Sequence, residues 1–177
     1  MKQSSKCAIG GIVSALSLVL MISVAILPFL TYALPAVAGI FIVFIVVEID
    51  KKWAFGVFSA VSVLAFLLVP DKEVAMMYIA FFGYYPIIKA VLESKLPTPV
   101  CWIVKVAVFN LTMVAAYLIL IYLMGITVDE IEEYGSVAVP MLLGAGSIAF
   151  VAYDIALTRI ISLYIIKWRK YFKRYFK

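Results

Sequence analysis

Three ionisable side chains, Asp154, Lys105 and Arg159, lie inside apolar runs of a 177-residue chain in which 67% of residues are apolar and 14% charged. An ionised group at membrane depth costs at least ~2.5–3.5 kcal/mol on insertion scales, so each needs a partner, an exit or a purpose. Lys105 and Arg159 have stems that can carry their charge to an interface, whereas the short side chain of Asp154 must be paired, neutral or in contact with water. Asp154 precedes Lys167 by thirteen residues. That is ~20 Å of helix, near the middle of the hydrocarbon layer. Asp154 and Arg159 are five positions apart, a poor spacing for pairing within one helix, so a partner on another span is expected. Lys105 and Asn110 offer themselves, Asn110 at nearly the same depth, and Tyr117 shares its face. Ser147 lies on the stripe Pro140, Gly144, Ser147, Val151, Asp154, Thr158 and Ser162, whose steps of three and four place small and polar groups on one side of a helix. Tyr84 and Tyr85 adjoin Pro86, which frees the carbonyl of Phe82 and should kink its helix. Asp154, Asn110, Lys105, Arg159, Tyr117, Ser147, Tyr84 and Tyr85 are therefore the candidate solute contacts. The same groups could instead serve to hold helices together, since polar pairs between membrane helices are worth ~0.6–2 kcal/mol.

Other chemistry is pruned by inventory. The chain has no histidine, which removes Ser-His and Cys-His pairs, imidazole metal sites and the usual proton shuttle near neutral pH. Cys7 and Cys101 form no paired motif and read as small apolar residues. Asp154 is the one acid clearly at membrane depth, and one carboxylate cannot act as a protease dyad. The acids of the 125–136 loop lack calcium-loop spacing. No catalytic residue, metal or cofactor is expected.

The elements that must position these residues are long uninterrupted apolar runs, the helical solution to satisfying every backbone group in lipid. Charges and prolines punctuate them into six spans near 7–27, 33–47, 53–69, 74–92, 100–124 and 137–166. The first exceeds the ~7–15 residues of a signal-peptide core and is read as a helix of the protein. An all-α polytopic membrane bundle over 1–166 is expected, followed by a basic, aromatic tail at 167–177.

Lysine and arginine fall asymmetrically between the two sets of loops. Twelve, counting Lys89 and Lys95 together, lie on the side of the termini, and only Lys72 lies on the other. Basic residues near short loops resist translocation, which places both termini in the cytoplasm of a cell's inner membrane. The opposite loops hold Asp71, Glu73, Asp129, Glu130, Glu132 and Glu133, an acidic face that would attract cations. In the tail, helical phasing separates Lys167, Arg169, Lys170, Lys173, Arg174 and Lys177 from Trp168, Tyr171, Phe172, Tyr175 and Phe176. That arrangement suits an interfacial helix on anionic lipid headgroups, with Trp168, Arg169, Lys170, Lys173 and Arg174 at the interface, and it argues against nucleic acid. Gly10 with Ser14, Gly11 with Ala15 and Gly56 with Ala60 nominate the first and third spans for close helix contacts.

Six spans, minimal loops, small residues on the first span and polar groups concentrated in the last two together resemble, in architecture alone, the substrate-binding S component of energy-coupling factor transporters. The resemblance implies a micronutrient binder open to the outside that docks on a partner membrane subunit driven by ATPases. Gly11 and Ala15 stand where that family typically has an alanine-xxx-alanine docking face. The chain has no phosphate-binding glycine loop, so ATP hydrolysis would belong to partners. Two functions are thus expected: solute binding and uptake, or a non-transporting subunit that organises a complex.

Overall fold

Residues 3–124 and 138–169 are described by the computed structural model. They form an all-α bundle: α1 (Gln3–Ile22), α2 (Ala33–Glu48), α3 (Lys51–Leu68), a fourth span in two pieces, α4 (Lys72–Met77) and α5 (Tyr85–Lys95), then α6 (Thr98–Met124) and α7 (Ala138–Leu163). Five stretches, 3–25, 51–68, 72–95, 98–116 and 143–167, are long and apolar enough to cross a membrane. The exception is α2. Its 16 residues span only ~24 Å, short of the ~30 Å hydrocarbon thickness. It lies instead at the centre of the bundle, with Ala38, Ile42 and Ile45 fully buried. Its apolar composition serves the protein interior.

Two cores meet on α2. One joins α1, α2, α3 and α4 through residues such as Val13, Ile42, Val61 and Val74. The other joins α2 to the last three spans through Val43, Phe81, Phe109, Phe150 and Leu157. Gly10 lets α1 approach α3, since a Cβ there would lie 3.1 Å from the Val57 methyl, whereas Gly11 and Gly56 face open space. The first and third spans do pack together, through Gly10 and away from the Gly11–Ala15 and Gly56–Ala60 pairs.

The fourth span breaks just before Pro86. After α4 the backbone widens into a π-turn over Tyr78–Phe82, with Gly83 N–H bonded to the Tyr78 carbonyl at 2.8 Å, and α5 restarts with Pro86 in its first turn. Here proline's missing donor has no intrahelical partner to lose. The break is packed tightly: a Cβ on Gly39 of α2 would sit 2.3 Å from the Phe82 carbonyl oxygen, and one on Gly83 would sit 2.5 Å from the Phe58 ring.

Helix ends gather on two faces. Lys51 Nζ donates to the Ala90 carbonyl at 3.2 Å, and Glu48 accepts from Tyr164 Oη at 3.2 Å and pairs with Arg169 at 3.3 Å. The α2–α3 turn, the α5–α6 turn and the end of α7 therefore share one face, here the basic face. On the opposite face Tyr32 Oη donates to Glu73 at 3.1 Å, and Asp71 caps α4 through the amides of Glu73 and Val74. Lys72, the lone cation there among the described residues, donates to the carbonyls of Phe66 and Val69 at the end of α3, satisfying groups that a helix C-terminus leaves open. The acidic loop 125–136 and the tail beyond Arg169 lie outside the described residues.

Candidate functional site

The last three spans bring four charges together inside the bundle. Tyr85, Lys89 and Glu93 recur every four residues of α5 and so share one face. Lys105 projects from α6, and Asp154 and Thr158, again four apart, project from α7. Lys89 Nζ donates to Asp154 Oδ1 at 2.6 Å, to Glu93 Oε1 at 2.7 Å and to Thr158 Oγ1 at 2.8 Å. Lys105 Nζ donates to the same Glu93 Oε1 at 2.6 Å and to both oxygens of Asp154 at 3.2 and 3.1 Å. The Tyr85 hydroxyl donates to Asp154 Oδ1. Each ammonium thus has three acceptors for its three protons, and two cations face two carboxylates.

Burial of these groups is uneven. Lys89, Lys105 and Asp154 are 1%, 3% and 2% exposed, whereas the Glu93 side chain is 45% exposed. Lys89 lies six residues before Lys95 and Lys105 seven after Thr98, about 10 Å of helix from the α5–α6 turn. The network therefore occupies the half of the bundle nearest the basic face, and Glu93 is the carboxylate on that side.

Toward the other face the network is closed by rings. Phe81, Phe109 and Phe150 each stand one turn further in than Tyr85, Lys105 and Asp154 respectively. Phe109 stacks on Phe150 at 4.9 Å, and Phe81 meets them edge-on at 5.0 and 5.4 Å. Tyr85 packs on Phe81 and Phe150 at 4.7 and 5.3 Å. Trp102 completes the surroundings, with Lys105 Nζ 5.1 Å from its ring centre, a cation–π contact.

Of the residues nominated from the sequence, Asp154, Lys105 and Tyr85 meet here. Asn110 and Ser147 meet each other instead: Asn110 Nδ2 donates to Ser147 Oγ at 3.1 Å and to the Val106 carbonyl at 2.9 Å, a second polar rung between α6 and α7. Arg159 is exposed on the outer side of α7, outside the network. Tyr84 packs edge-on against Phe58 at 5.9 Å, and its hydroxyl, beside Thr112, makes no hydrogen bond of normal geometry. The stripe on α7 is buried at Asp154, half-buried at Ser147 and Val151, and exposed at Pro140, Gly144, Thr158 and Ser162, so it faces the bundle from Ser147 to Thr158, whose hydroxyl still meets Lys89. Arg169 pairs with Glu48. The side chains of Tyr117 and Trp168, and residues Lys170, Lys173 and Arg174, lie outside the described residues.

Lys89 and Glu93 were missed by sequence reasoning, and Lys89 corrects the charge count. It was assigned to the basic loops although it falls inside the expected 74–92 span; the structure buries it against Asp154. The sequence count becomes eleven against one, of which Lys6, Lys51, Lys52, Lys95, Lys167 and Arg169 are among the described residues. The available signal was helical phase: Tyr85, Lys89 and Glu93 repeat at the same interval of four as Asp154 and Thr158. Comparison with known protein families, with characterised proteins and with solved structures gives no match for this chain.

Proposed function

We propose that this multi-pass membrane protein binds a small polar solute and serves its uptake, with the Lys89–Asp154–Lys105–Glu93 network as the polar contact. One observation carries this reading. Three ionisable groups at most 3% exposed stand inside a bundle whose outer surface is apolar, where each charge is costly. Replacing such a network with packed apolar side chains is often neutral or stabilising, so a folding role alone is a poor reason to keep it. The reading is one of binding and passage, with no bond made or broken. The basic face is taken as cytoplasmic on the eleven-to-one charge ratio, with the tail at 167–177 resting on anionic headgroups.

The narrower assignment, an S component of an energy-coupling factor transporter, draws support from α1, where Gly11 and Ala15 are exposed with open space beside Gly11 and could meet a partner membrane subunit. The network lies nearer the basic face than the outward pocket which that resemblance implies, so solute binding is proposed independently of it.

A second reading is favoured by a different feature, the internal neutrality of the network. With every ammonium proton used, the four charges could simply fasten α5, α6 and α7 in a non-transporting subunit of a larger complex. Native mass spectrometry of the protein purified in mild detergent separates the two. A bound small molecule supports solute binding, and co-purified ATPases beside it support the narrower assignment. Stoichiometric protein partners with no solute support the scaffold.

A further inference from the structure

Within the network Glu93 differs from Asp154 in a way that neutralisation does not require. Asp154 is buried, accepts from Tyr85, Lys89 and Lys105, and is fixed from three sides. Glu93 reaches both lysines with a single oxygen, Oε1, at 2.7 and 2.6 Å, and its side chain is 45% exposed. An exposed carboxylate is readily rehydrated, so its departure is inexpensive compared with that of Asp154. Departure would leave one N–H of Lys89 and one of Lys105 converging on the same vacated point, with Asp154 balancing only one of the two charges. Two ammonium donors aimed at one oxygen position, with one positive charge uncompensated, form a receptor for an anionic oxygen.

We propose that Glu93 is a displaceable stand-in for the carboxylate of an incoming solute, which takes the place of Oε1 between Lys89 and Lys105. This rests on the solute-binding reading and names its chemical class: a small monocarboxylate, held where the network opens to the basic face, the side on which uptake releases it. The layer of Phe81, Phe109 and Phe150 closes the other direction, and Lys51, whose Nζ reaches the Ala90 carbonyl, and Lys95 lie at the helix turns on that side and draw anions toward it. No covalent step is involved; one carboxylate–ammonium contact is exchanged for another.

The test uses the full chain in detergent, with acetate as probe and acetamide as its uncharged isostere. Each is titrated at constant ionic strength against chloride while the unfolding temperature is followed. Glu93→Gln keeps an oxygen near both lysines but removes the competing charge. It is expected to show acetate-dependent stabilisation with a half-saturating concentration at least tenfold below that of the native protein, and no response to acetamide. Lys89→Met in the Glu93→Gln background is expected to abolish the acetate response. Equal responses to acetate and acetamide, or an acetate response in Glu93→Gln no stronger than in the native chain, would overturn the proposal. So would an acetate response that survives Lys89→Met. Should Glu93→Gln fail to fold, native mass spectrometry of the unaltered protein decides. A bound carboxylate solute supports the proposal. A neutral or cationic solute overturns the anion class while leaving solute binding intact, and the absence of any solute together with acetate insensitivity overturns both.

Discussion

At the scale of single residues, the network and its surroundings carry very different energetic weights. Lys105→Met leaves Asp154 with Lys89 as its one cation, so a loss smaller than the ~3–5 kcal/mol of a fully unpaired buried charge is expected. The account predicts that loss in detergent unfolding, and that Asp154→Leu combined with Lys105→Met is less destabilising than the sum of the single changes, because the two share one interaction. Arg159→Ala is expected to stay within ~0.5 kcal/mol, since its side chain is exposed outside the network. Asn110→Leu is expected to cost about 1 kcal/mol, the scale of one interhelical hydrogen bond in a membrane bundle. A larger effect at Arg159 than at Lys105 in the same unfolding series would contradict this ranking. The pairing of Asp154 with Lys105 was legible because a short acid at that depth needs a cation from another helix. Lys89 was not legible by the same route, since a lysine a few residues from a helix end is equally compatible with a loop. Asn110 faces α7 but meets it at Ser147, two turns from Asp154, because counting from the ends of each span does not fix how two helices are offset along their axes.

At the scale of elements, the bundle depends on close approaches that only glycine permits. A Cβ at Gly39 would meet the Phe82 carbonyl oxygen at 2.3 Å, so Gly39→Ala must push α2 away from the π-turn, an overpacking cost of about 1–3 kcal/mol. Gly11→Ala and Gly56→Ala meet nothing within 4 Å and are expected to change stability by less than ~0.5 kcal/mol in the same detergent unfolding assay. Comparable losses at all three glycines would contradict the packing described. The sequence showed where the fourth span should bend, because proline at position 86 has one consequence for the backbone. It did not show that the bend becomes a π-turn packed on Gly39, which depends on contacts between distant parts of the chain. Nor did composition distinguish α2 from its neighbours: a short helix buried among other helices and one facing lipid are both apolar, and its 16-residue length was the distinguishing mark.

At the scale of the whole molecule, polarity is turned inside out relative to a water-soluble protein. Ile103, Leu111, Ile148 and Ile166 are between 70% and 75% exposed, while Lys89, Lys105 and Asp154 are buried. Such an apolar exterior matches acyl chains. The grouping of helix ends predicts that, after Cys7→Ser, a thiol introduced by Lys95→Cys reacts with a membrane-impermeant reagent from one side of a sealed vesicle and one introduced by Phe29→Cys from the other. Labelling of both from the same side would contradict the arrangement of faces. The central claim, that the buried network contacts a solute, is tested most directly by native mass spectrometry of the native chain, Asp154→Asn and Arg159→Ala purified in parallel. The account predicts a small molecule bound to the native protein and to Arg159→Ala, with occupancy reduced at least tenfold in Asp154→Asn that still unfolds cooperatively, because Asp154 is the carboxylate that holds the Lys89 and Lys105 ammonium groups converging on one point. Undiminished occupancy in Asp154→Asn, with only its unfolding temperature lowered, would contradict it.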